Sequence, residues 1–139
     1  MGEDYVIDFL SDEWILNSFL SFLYVSISLF IGFKLDIEKK FVFAKAIAYS
    51  LILFLFLYNF FHLHLGTWFF QKRLPLQLCY ITQLICCIIL FIPKKQLLFD
   101  LVFYCGVLGG LQALLTPLID DYTGINFFYF DYYFVHSTI

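Results

Sequence analysis

AIAYSLILFLFLYNFFHLHLG, residues 46–66, runs without a single charged side chain. About 20 apolar residues in a helix, at about 1.5 Å each, cross the hydrocarbon core of a bilayer, so this stretch reads as a transmembrane helix. Two neighbouring stretches repeat the pattern. Residues 14–33 (WILNSFLSFLYVSISLFIGF) and 75–92 (PLQLCYITQLICCIILFI) are also free of charge, and residues 96–119 carry one acid, Asp100. Residues 127–139 begin another apolar run that is too short for a full crossing. Barrel strands alternate apolar and polar positions, and these runs do not. The expected fold class is therefore all-α, a multi-pass transmembrane helix bundle with four full spans and the start of a fifth. Residues 1–139 read as a single transmembrane domain, incomplete at its C-terminus, whose remaining helices belong to a longer protein or are supplied by other chains.

Composition points the same way. Hydrophobic residues make up 63% of the chain and charged residues 14%, against about 45–50% and about 25% in soluble domains. The basic residues form three short clusters: Lys34, Lys39, Lys40 and Lys45; Lys72 and Arg73; Lys94 and Lys95. Basic residues in short loops stay on the cytoplasmic side. The first and third clusters fall on one face and the second on the other, which places the N-terminus outside. Residues 1–13 fit this placement, with Glu3, Asp4, Asp8, Asp12 and Glu13 and no base, and lack the positive start of a signal peptide. Without a basic patch, nucleic acid is not an expected partner; membrane lipids are.

Polar side chains gather toward one membrane face. Pro75 suits the first turn of a helix, and Pro117 ends the fourth span on the same side. At about 1.5 Å per residue, Cys79 then lies about 6 Å below Pro75, Gln112 about 8 Å below Pro117, and His136 at most about 14 Å below Phe127. All three share a leaflet. On the third helix Cys79, Thr82, Gln83 and Cys86 have the spacing of one face; on the fourth, Cys105, Gly109, Gln112 and Thr116 do. Gly106 and Gly110 form a GxxxG pair that admits another helix closely. Asn59 and His62 sit near the same end of the second helix, and His64 points away from His62, so no metal site is expected there. Asp100 and Asp131 are ionisable groups inside spans, each near enough to an interface to be wet or capped. His136 is deeper and needs a partner for at least one ring nitrogen, with Tyr132 and Tyr133 one turn before it. The cysteines at 79, 86, 87 and 105 form no CxxC pair, and no cofactor motif such as GxGxxG, a P-loop, HExxH or GxSxG is present.

A cysteine and a histidine that meet in space make a nucleophile and its base: the imidazole takes the thiol proton and the thiolate attacks a carbonyl. Lipid esters offer carbonyls at the depth of Cys79. Gln77 or Gln112 would donate to the oxyanion, while Gln83 and Thr116 complete the polar lining. Apolar burial alone leaves a thiol inert, so Cys79 needs His136 or water beside it. The same groups would serve a lipid-binding or transport protein that holds a headgroup, although no internal repeat of the transporter kind is visible. A structural subunit of a larger membrane complex is a third reading.

At LPLQLC (74–79), GVLGGLQALLTP (106–117) and FDYYFVH (130–136), the chain resembles the YwaF-like family of integral membrane proteins, to which animal transmembrane proteins of the TMEM type are distantly related. The resemblance covers about residues 68–137 in order. It implies a bundle of more helices than this chain contains. In the animal branch it also implies acyl-chain transfer onto lysophospholipid by a cysteine at the start of one span and a histidine in a later one. These roles fall on Cys79 and His136. The animal cysteine directly follows the proline, where this chain has Leu76, so Cys79 sits one helical turn deeper.

Overall fold

The computed structural model describes residues 3–68, 78–92, 96–122 and 124–139. Pro75, Gln77, Lys72, Arg73, Lys94 and Lys95 lie outside the described residues.

Two long antiparallel helices come first. Helix α1, Asp12–Lys34, opens at Ser11, whose hydroxyl accepts the Trp14 amide at 3.1 Å, satisfying one of the free donors of the first turn. Helix α2, Ile37–His64, follows after only Leu35 and Asp36. The sequence suggests a cytoplasmic turn over 34–45. Instead Lys39, Lys40 and Lys45 belong to the first turns of α2, where Lys39 Nζ lies 3.6 Å from Asp36 Oδ2 and Lys45 Nζ lies 5.9 Å from the centroid of the Phe91 ring. At its far end α2 closes on Gly66 at φ +65°: Gly66 N donates to Leu63 O at 3.2 Å and Thr67 N to His62 O at 3.0 Å. This paired closure needs a left-handed residue and favours glycine.

Helix α3, Leu78–Ile88, continues as a 3₁₀ turn over Ile89–Phe91, α4 spans Gln96–Leu115, and α5 spans Asn126–Thr138. Three helices, α1, α2 and α4, are long and apolar enough to cross a membrane, while Leu78–Phe91 is shorter. Four complete spans are thus a finer statement than the described residues carry. Large apolar side chains such as Phe22, Phe33, Phe56, Val42 and Leu97 cover the outside, as expected where the solvent is lipid.

The fold is not helical throughout. Strand β1, Glu3–Val6, pairs antiparallel with β2, Leu118–Tyr122, where the sequence suggests a polar outer loop over 120–126. Ile7 N donates to the Pro117 carbonyl at 3.2 Å, so the pairing runs up to the end of α4. Pro117 stops the helix and β-favouring Leu118 and Ile119 follow. The sheet caps the end of the bundle at which α1 starts and α4 stops, and Trp14 Nε1 ties those two ends by donating to Leu115 O at 3.0 Å.

Helix α5 is the hub. Its Val135 joins Ala48 and Leu51 of α2 and Cys87 of α3 in a buried cluster flanked by Phe54, Phe134 and Ile139. On its other side it lies against α4 at the two glycines. A Cβ on Gly110 would meet the His136 carbonyl oxygen at 2.6 Å, and one on Gly106 would overlap that of Ile139. The packed stripe of α4 is therefore Val102, Gly106 and Gly110, all buried. It lies one position round from the polar row of Cys105, Gly109, Gln112 and Thr116.

Candidate functional site

A cavity of about 200 Å³ opens at the strand-capped end of the bundle. Its wall is formed by Tyr58 of α2, Cys79 and Tyr80 of α3, Leu118 and Ile119 of β2, and Phe128, Asp131, Tyr132, Val135 and His136 of α5. Two larger clefts, of about 450 and 330 Å³, run along α1. They hold no cysteine or histidine. The smaller cavity concentrates the reactive groups, and on that ground it is the candidate site.

Cys79 is half-buried in the first turn of α3. His136 occupies the last turn of α5, and its Nδ1 lies 2.7 Å from the Tyr132 carbonyl oxygen one turn earlier. A carbonyl only accepts, so Nδ1 carries the proton and Nε2 keeps its lone pair. The Tyr132 ring packs on the imidazole, with centroids 4.3 Å apart. Tyr132 is itself anchored: its hydroxyl donates to Ala113 O at 2.8 Å and accepts from Leu118 N at 3.3 Å. One tyrosine thus joins α5 to the end of α4 and to β2, and its backbone sets the tautomer of the histidine.

Asp131 departs from expectation. It is only 7% exposed, it faces the cavity, and its Oδ1 has no hydrogen-bond partner. A position near an interface suggests a wet carboxylate, but Asp131 is buried in a wall that β2 and the Tyr58 and Tyr80 side chains of α2 and α3 also line. Asp100, by contrast, accepts from Gln96 Nε2 at 2.7 Å in an exposed pair.

The other polar residues singled out by the sequence lie elsewhere. Gln83 is 1% exposed and its amide donates to Leu51 O of α2 at 2.9 Å. Gln112 and Thr116 are exposed, the Thr116 hydroxyl donating to the Gln112 carbonyl at 3.0 Å. None of the three lines the cavity, and Gln77 lies outside the described residues. Asn59 and His62 hold the turn after α2: Asn59 Oδ1 accepts from Trp68 Nε1 at 3.0 Å, and His62 Nδ1 lies 2.8 Å from Thr67 Oγ1. Among the described residues no three His, Cys, Asp or Glu side chains gather as a metal site would require.

A second polar network braces the capping sheet. Glu13 accepts from Tyr5 at 2.9 Å and from Tyr129 at 2.7 Å, and Asn17 donates to the Tyr129 hydroxyl. The hydrogen bond to Glu13, then burial, then the charge of Glu13 push the Tyr5 phenol above its ordinary value. This network was not legible in the sequence, because it joins residues at opposite ends of the chain.

The family model described as the TMEM164 family matches residues 9–139. The chain belongs to the TMEM164 family. Neither a curated protein nor a solved structure matches it significantly. Together with the long apolar helices, membership makes this TMEM164-family chain an integral membrane protein. The match begins at residue 9, just before α1, and runs through α5, so it contains every helix that contributes to the cavity.

Proposed function

We propose that this TMEM164-family chain transfers acyl chains between phospholipids through a thioester on Cys79, with His136 as its base. The observation that carries the reading is that Cys79 and His136 line one cavity while Tyr132 holds His136 with Nε2 unprotonated. The sequence resemblance to the YwaF-like proteins and their animal branch points to the same pair.

The chemistry balances within the two residues. His136 Nε2 takes the thiol proton as the sulfur attacks the ester carbonyl of a donor phospholipid. The tetrahedral intermediate expels the alkoxide, which leaves as a lysophospholipid hydroxyl with the proton from His136. An acceptor lysophospholipid then gives its hydroxyl proton to His136 and attacks the thioester, and the sulfur leaves and recovers the proton. No electron transfer and no cofactor enter these steps. The site lies in the outer leaflet, with the N-terminus and capping sheet outside.

Intact mass spectrometry of the chain purified from membranes, before and after hydroxylamine, tests this. The expected result is an acyl-sized mass increase that hydroxylamine removes and that Cys79→Ser lacks. An unmodified mass in the presence of donor phospholipid would move the site to non-covalent lipid binding.

A further inference from the structure

The acyl-transfer reading leaves one group in the cavity idle. Asp131 is 7% exposed on the cavity wall, and its Oδ1 makes no hydrogen bond. Four aromatic side chains, Tyr58, Tyr80, Phe128 and Tyr132, share the cavity wall with it. The Tyr58 ring centroid lies 5.7 Å from that of Tyr80 and 5.7 Å from that of Phe128. Ring faces carry negative potential, and the carboxylate, when ionised, adds a full negative charge. Among the described residues no lysine or arginine lines the cavity, and the one protonated ring nitrogen of neutral His136 is turned to the Tyr132 carbonyl. A carboxylate buried without a cation is costly. Such a wall repels anions, and its described residues offer no countercharge.

We infer that Asp131 with Tyr58, Tyr80, Phe128 and Tyr132 forms a binding site for an alkylated ammonium group. Ammonium groups bearing alkyl substituents are weakly hydrated and bind over ring faces with their charge toward an anion. A hard metal ion asks for six or more oxygen ligands, and this wall provides one carboxylate. The volume of about 200 Å³ falls below the about 300–1,000 Å³ of a drug-sized site, which fits a headgroup and not a whole lipid. Resting on the proposed function, the ammonium belongs to the choline headgroup of a phospholipid substrate. A free amine carries the same chemistry, and the test separates the two.

Cys79 shares the wall and serves as the reporter. The full chain in mild detergent is labelled with N-ethylmaleimide, and modification of each cysteine is followed by peptide mass spectrometry. At a ligand concentration about ten times its Kd, occupancy should slow Cys79 labelling about tenfold. Choline and lysophosphatidylcholine are expected to protect. The neutral isostere of choline, with a quaternary carbon in place of nitrogen, and lysophosphatidylglycerol of the same chain length are expected not to protect. Asp131→Asn should abolish protection while Cys86 and Cys105 label as in the wild type. Equal protection by the neutral isostere, absence of protection by any cation, or protection surviving Asp131→Asn would overturn the inference. If the variant does not fold, choline against its isostere on the wild-type chain decides alone. Protection by choline without protection by lysophosphatidylcholine would sink the headgroup assignment. Loss of the hydroxylamine-labile mass with choline protection intact would sink the transfer reading and leave this one standing.

Discussion

A thiol one turn inside a membrane helix has little chemistry of its own, because an apolar setting disfavours the thiolate. Its neighbours decide what it does. His136 is the neighbour that matters, and its geometry rests on one small residue: with glycine at 110, the α5 backbone approaches until a Cβ there would stand 2.6 Å from the His136 carbonyl oxygen. Gly110→Ala must therefore move the turn that carries the base. We expect it to destabilise the bundle by about 1–3 kcal/mol, the usual range for overpacking, and to lower Cys79 acylation more than a distant variant of equal melting temperature. A thermal melt in detergent beside the hydroxylamine assay measures both. Conversely, Gln112→Ala and Thr116→Ala, exposed and away from the cavity, should leave acylation at the wild-type level; a loss in either would bring the polar row of α4 back into the site. Cys79, His136 and the GxxxG pair were legible because residue type and helical spacing suffice to single them out. The burial of Asp131 was not. It depends on where β2 and the aromatic side chains of α2 and α3 come to lie, and the sequence around residue 131 says nothing of that.

At the scale of elements, long apolar runs announced the helices and charge hid their ends. Lys39, Lys40 and Lys45 suggested a loop, yet a lysine stem extends a helix past the apolar zone at little cost. The strands were hidden for a different reason. Their pairing joins residues 3–6 to 118–122, and neither segment has enough alternation to declare a partner so far along the chain. Glu13 is the brace of that cap, accepting from Tyr5 and Tyr129. Glu13→Ala leaves the partly buried Tyr129 hydroxyl without its acceptor, for which about 1–3 kcal/mol is the usual cost. We expect a lower melting temperature and faster proteolysis of the N-terminal segment, measured by limited digestion; unchanged digestion would show that the strand holds without the brace. The Tyr5 contact also has a pH signature. A phenol raised by its acceptor contributes its full share below the ordinary value of 10.0, and that share is lost as the pH rises through the raised value. N-terminal protection should therefore fade in strong alkali and do so less in Tyr5→Phe, which lacks the titrating group.

For the whole molecule, the antiparallel order of helices puts the start of α1, the end of α2, the start of α3 and the cavity at one face, and Lys39, Lys40 and Lys45 at the other. The excess of basic residues over the acidic N-terminus then predicts a topology. An N-terminal epitope tag should be cleaved by protease added outside intact cells, and a cysteine placed at Lys40 should stay unlabelled by an impermeant maleimide; the opposite pattern would reverse the bundle and move the site to the inner leaflet. The proposed function has Cys79 and His136 together carry an acyl group from one phospholipid to another. Its most direct test is transfer in proteoliposomes, from a donor phospholipid with a deuterated acyl chain to an added lysophospholipid, read by mass spectrometry of the lipids. Deuterated acceptor is expected with the wild-type chain, none with Cys79→Ser, and none with His136→Gln. Transfer that persists in both variants would contradict it.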